Sequence, residues 1–153
     1  MTDAADAAPP ESDHLRVHYG MSGSVPLRLF EFVFEPAGCY VLDCGGFTPM
    51  FDLARGRHTR RAAHVDAVYH DHGLAGLLAS ADTVTWFAWE RVERVVLHDG
   101  GRFTRPKLRV VTGAETPSPS VRLHDVDVAA LSTALERFEE RVRVERSAGA
   151  GLL

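Results

Sequence analysis

The sequence predicts an α+β domain that is mostly β: a bent antiparallel sheet or partial barrel of about seven strands, capped by a C-terminal amphipathic helix, with a partly helical insertion in the middle. Three observations carry this. The stretch Thr83–Thr112 reads as strand, tight corner, strand, polar turn and strand again. The stretch Leu27–Cys44 reads as a hairpin. Near the end, Val128, Leu131, Leu135, Phe138 and Val142 fall three and four residues apart, which makes one apolar helical stripe.

Taken in order, residues 1–13 are rich in Ala, Pro and acidic groups and are expected to be a solvated tail. A single domain is expected over residues 14–146, with residues 147–153 frayed. His14–Tyr19 alternates Leu15, Val17 and Tyr19 with polar residues and predicts a first strand, punctuated by Gly20–Ser24. In Leu27–Glu35, Phe30, Phe32 and Phe34 line one face, and Leu29, Glu31 and Val33 line the other. Pro36, Ala37 and Gly38 make the turn into Cys39–Cys44. The two cysteines, Cys39 and Cys44, have an odd separation that places them on opposite faces of one strand, which argues against a disulfide.

Residues 45–81 are expected to be an insertion between two halves of the sheet. Gly45–Arg61 has no periodicity, and Ala62–Ser80 accommodates one or two short helices broken by Gly73 and Gly76. Beyond it, Val84 and Trp86 alternate with Thr85 and Phe87, and Trp89, Glu90, Arg91 and Val92 turn a corner into Val92–His98. Trp86, Val92, Val95 and Leu97 are expected beneath the Leu131–Phe138 stripe. Asp99, Gly100 and Gly101 have the composition of a positive-φ turn. Pro106 can precede a strand but not sit within one, so Lys107–Thr112 starts just after it. Val121 and Leu123 form a last short strand. The closing helix is expected to be capped by Asp125 or Asp127, with Arg141, Arg143 and Arg146 at its carbonyl end.

Composition bounds the function classes. An apolar share of 45% and a charged share of 25% are those of an ordinary globular protein. A net charge of -4 gives no strong field to recruit nucleic acid or an anionic membrane, and no nucleic-acid partner is expected. Ile, Asn and Gln are absent and Lys107 is the one lysine, a bias toward codons rich in G and C that fits a haloarchaeal or actinobacterial genome. The acidic start has no apolar h-region, and no apolar run approaches the roughly 20 residues of a membrane span, so a cytoplasmic protein is expected.

No catalytic constellation is present: G-x-S-x-G, a phosphate-binding loop and a dinucleotide fingerprint are all missing. The basic run supplies Arg55, Arg57, Arg60 and Arg61, which can hold phosphate or lipid head groups or can pair with the protein's own carboxylates. Trp86 and Trp89 can stack on a ligand or pack sheet against helix, with Trp89 at the corner the more exposed. Arg102 and Arg105 flank the polar turn and complete the expected partner surface. His70 and His72 lie on one side of an extended segment, with Asp66 and Asp71 nearby, and form the one candidate metal pair; no cofactor is expected.

The phrase Phe87-Ala88-Trp89-Glu90-Arg91-Val92-Glu93-Arg94-Val95-Val96-Leu97, followed by Arg105-Pro106-Lys107-Leu108-Arg109-Val110, a short strand and a helix, resembles the second half of the prokaryotic pleckstrin-homology-like (PH-like) domains. The resemblance covers roughly two thirds of the chain in pattern and implies a sharply bent seven-stranded sheet closed by the C-terminal helix. The resemblance implies the fold and no substrate; the expected function is a non-catalytic binding module that meets a protein partner, associates with itself or touches a membrane peripherally, with at most weak anionic lipid contact. The eukaryotic relatives that bind inositol phosphates use basic residues in the first hairpin loop. Here that turn is Glu35-Pro36-Ala37-Gly38, without a basic group, which counts against phosphoinositide binding. The alternative function is a small metal-dependent or hydrolytic enzyme built on His70 and His72.

Overall fold

The computed structural model describes residues 14–23, 27–47, 57–101, 104–113, 117–124 and 126–147. Eight strands and two helices follow in chain order: β1 (Leu15–Ser22), β2 (Leu27–Glu35), β3 (Gly38–Phe47), α1 (Arg57–Ser80), β4 (Thr83–Ala88), β5 (Val92–His98), β6 (Lys107–Thr112), β7 (Ser120–Leu123), α2 (Val128–Leu135) and β8 (Arg143–Ser147). The strands form one sheet in the order β4-β3-β2-β1-β7-β6-β5-β8. Every pairing is antiparallel except that of β5 with β8. Among the described residues the protein is therefore mostly β, with two helices.

The alternation in β2 sorts its side chains between two apolar clusters. Phe32 and Phe34 enter the first, with Val95 and Leu97 of β5, Phe87 of β4 and the α2 residues Leu131 and Leu135. Leu29 and Val33 enter the second, with Leu42 of β3 and Ala62, Val65 and Leu77 of α1. The helical insertion thus covers the sheet face that α2 leaves open. Cys39 joins the first cluster and Cys44 packs against the second, so the odd spacing does place the two thiols on opposite faces. Burial pushes both thiols up to about 12.

β1 runs past Gly20 instead of stopping there. Its register against β2 shifts between Val17 and Gly20, a bulge that places one extra residue on β1. Tyr19 sits in the bulge at φ 68, and the local rotation carries it into the second cluster, away from the face shared by Leu15 and Val17. Beyond the bulge Gly20 and Met21 pair with Leu123 and Arg122 of β7, which joins the two halves of the sheet. A Cβ at Gly20 would meet Val121 Cγ2 at 2.7 Å, so this approach requires glycine.

Residues 57–80 of the insertion are more continuously helical than their composition predicts. α1 is two helical segments joined at Gly73, whose φ of 69 and ψ of -165 are non-helical. Gly76 stays helical, so one of the two expected breaks occurs. The β4 pattern is the reverse of the expected one. Phe87 and not Trp86 faces the core, while Val84 and Trp86 are 40% and 41% exposed. Trp89, in a single 3₁₀ turn at the corner, is 5% exposed and donates its indole Nε1–H to Glu35 O at 2.9 Å. Its ring stacks on Phe34 with centroids 5.9 Å apart.

The closing helix is shorter than the stripe suggests. Asp127 caps α2 by accepting from Ala130 N at 3.1 Å, whereas Asp125 lies outside the described residues. After Leu135 the backbone tightens into a 3₁₀ turn, Glu136–Phe138, and Arg143 onward turns into β8 beside β5. Arg143 and Arg146 are strand residues and not helix-end cations, since pairing with β5 overrides the helical spacing.

Candidate functional site

Among the described residues, the one fully buried charged side chain lies on β2. Glu31 has no exposed side-chain surface, and a carboxylate is stable there only with partners that replace water. β1 supplies them, because Arg16 and His18 alternate with Leu15 and Val17 and so point to the Glu31 side. Arg16 Nε donates to Glu31 Oε1 at 2.7 Å, and Tyr19 N donates to Oε2 at 2.8 Å. His18 Nδ1 sits 2.9 Å from both carboxylate oxygens and 2.7 Å from Arg16 Nη2. That nitrogen donates to Glu31 in one tautomer and accepts from Arg16 in the other.

The network then crosses to α1. Arg16 Nη1 donates to Asp66 Oδ1 at 2.7 Å, and its guanidinium lies over the Tyr69 ring at 4.4 Å. Tyr69 Oη is 2.6 Å from His14 Nε2. The hydrogen bond from Arg16 holds the Asp66 carboxyl below its usual range, with the Arg16 charge acting in the same direction. Arg16 is thus a clamp that ties the insertion to the sheet. Glu31 is taken up by Arg16, His18 and Tyr19 N and has no exposed side-chain surface, so it is not poised as a general base.

Above this network a cleft of about 550 Å³ opens between the two helices. β1 floors it from Leu15 to Tyr19, α1 contributes Thr59, Ala62, Ala63 and Asp66, and α2 contributes Ala130, Leu131 and Ala134. His124 lines it too, stacked on Tyr19 at 4.8 Å. Of these residues only Asp66 figured in the expected site, beside the His70 and His72 pair. The traceable signal was Glu31 inside an apolar strand with Arg16 and His18 alternating on the strand before it.

The expected partner surface is dispersed. Arg60 and Arg61 lie in α1 and line a separate recess of about 470 Å³ with Cys44, His64, Val65 and Ser80. Arg57 opens the helix, while Arg55 and Arg102 lie outside the described residues. Arg105 lines a third recess, of about 170 Å³, with His98 and Lys107. Trp89 is a core residue and not a surface one, as its burial shows. The expected extended segment carrying His70 and His72 is helical, so two residues two apart point away from each other. His70 instead lies 3.4 Å from Asp66 at helical spacing. Among the described residues no group of three or more His, Cys, Asp or Glu could hold a metal ion. Nor is any described helix long and apolar enough to cross a membrane.

The last candidate is the edge strand β4. Val84 and Trp86 are the exposed large hydrophobic residues among those described, and they share one face of the strand. Trp86 rests on Tyr40 of β3, with ring centroids 4.6 Å apart.

No family model matches the chain, and no curated protein matches it. Among solved structures it is similar to the hSac2 domain from the human phosphoinositide phosphatase Sac2. The identity is 7%, 95% of this chain and 84% of that chain are covered, and the TM-score is 0.47.

Proposed function

We propose that the chain is a non-catalytic binding module of PH-like build that recognises an extended segment of another protein along the β4 edge. The PH-like reading is supported by the strand order, by α2 following the last antiparallel strand, and by the first apolar cluster. That cluster takes Phe87 from one edge strand and Val95 from near the other end, which a flat sheet could not bring together around one helix. A sheet curled into a partial barrel around α2 accounts for it.

The observation that carries the function is the chemistry of β4. An edge strand presents unpaired backbone groups and is normally guarded by charge, proline or a bulge. Thr83-Val84-Thr85-Trp86-Phe87-Ala88 has no charge and no proline, and its register against β3 is unbroken from Gly38 to Asp43. Two large apolar side chains stand on it in reach of an added strand. A partner strand would take its affinity from main-chain hydrogen bonds and its specificity from apolar side chains packing on Val84 and Trp86.

The test is site-specific photo-cross-linking in the native cell, with a benzophenone amino acid at Val84. A discrete cross-linked species is expected, and it is expected to disappear when Trp86→Glu is added to the same chain. Trp86 is 41% exposed and outside both apolar clusters, so Trp86→Glu is expected to leave the fold intact, which the circular dichroism of the variant checks. Cross-linking that is absent, or unchanged by Trp86→Glu, would overturn the reading, and a product of twice the chain mass would identify a second copy as the partner.

A further inference from the structure

We propose that the cleft between α1 and α2 binds a small amphiphilic ammonium compound, with its alkyl body between the helices and its cationic head toward Asp66 and Asp127. The inference is independent of the β4 edge. The cavity volume, about 550 Å³, is that of a small-molecule site, and such sites combine apolar walls with few polar groups. Here Leu15, Val17, Val126 and Leu131 supply branched apolar surface, and Ala62 and Ala134 leave room because their side chains stop at Cβ.

The sign of the ligand follows from what the polar groups have left to offer. Arg16 is the cation in the lining, and all its nitrogens are engaged: Nε with Glu31, Nη1 with Asp66, and Nη2 with Glu31 and His18. An anionic head group would have to break that clamp. The carboxylates are less fully used. Asp66 spends Oδ1 on Arg16 and His70, and Asp127 spends Oδ1 on the cap of α2. Among the described residues, Oδ2 of each accepts no hydrogen bond. Glu31, beneath the floor, is taken up by Arg16, so Asp66 and Asp127 are the carboxylates that line the cleft itself. A ligand with several N–H donors and a positive charge complements that balance, and one with acceptors does not.

The test uses the full chain labelled with ¹⁵N and three probes of matched length: hexylammonium, hexanol and hexanoate. Hexylammonium is expected to shift the amides of Ala62, Ala130 and Ala134 saturably, with hexanoate weaker by about tenfold or more. Ala130→Phe, at an exposed position on the cleft wall, is expected to abolish those shifts while leaving the rest of the spectrum unchanged. Asp66→Asn is expected to bring hexylammonium to the affinity of hexanol. Hexanoate binding as tightly as hexylammonium, hexanol equalling hexylammonium in the unaltered chain, or no saturable shift at those three amides would each overturn the proposal.

Discussion

Arg16 and Glu31 illustrate how a charge becomes part of an interior. Glu31 carries no exposed side-chain surface and Arg16 only 9%, so the pair has left water almost completely. Together such a pair contributes little net stability, because desolvation offsets attraction, but removing one partner strands the other. Arg16→Met keeps the length of the apolar stem and deletes the guanidinium. We expect a loss of about 3 kcal/mol, the low end for a broken buried pair because His18 and Tyr19 N still reach the carboxylate. Urea unfolding followed by far-ultraviolet dichroism measures it, and a change within 0.5 kcal/mol, the usual range for surface positions, would mean that Glu31 does not depend on Arg16. The alternation that presents Arg16 and His18 to Glu31 was legible in the sequence. Their meeting with Asp66 and Tyr69 was not, because nothing local says where a segment 50 residues away will dock.

The same division between local and distant information runs through the elements. The Leu131 to Phe138 stripe located α2, since three- and four-residue spacing is a local signal. Its continuation to Val142 concealed the end of the helix, because Val142 and Val144 also suit a strand and pairing with β5 decided between them. In α1, Ala62, Val65 and Tyr69 have the spacing of a helix face packed on the sheet, yet the charged and histidine-rich residues between them hid it. Gly73 was correctly legible as a break, and its geometry isolates one physical cause. A Cβ there would meet nothing within 4 Å, so any penalty for Gly73→Ala comes from the backbone at φ 69 and not from collision. We expect a loss of about 1–3 kcal/mol, measured as a lower urea midpoint at unchanged slope. Gly76→Ala differs, because its Cβ would press on His72 Cβ.

At the scale of the whole molecule, the two ends of the sheet are treated differently. β8 closes one end with Arg143-Val144-Glu145-Arg146-Ser147, a strand whose charges guard its outer side. Glu145 lies 3.2 Å from Arg143 and 3.6 Å from Arg94, which offsets the two arginines placed opposite each other in register. Arg146 Nε donates to Asp99 at 2.7 Å and Asp99 N donates to Ser147 O at 3.0 Å, tying the strand to the end of β5. β4 closes the other end with no such protection. If β8 is the guard that keeps β5 from pairing with other chains, a chain ending at Val142 should lose more than stability. It forfeits the backbone pairing of β5 and the packing of half-buried Val144, a cost of about 2–4 kcal/mol. It also exposes the apolar Val95-Val96-Leu97 run as a second open edge. We expect the truncated chain to unfold at lower urea and to scatter light increasingly with concentration, while the full chain does not. Truncation that lowered stability without any concentration-dependent association would show that β8 braces the fold without guarding its edge.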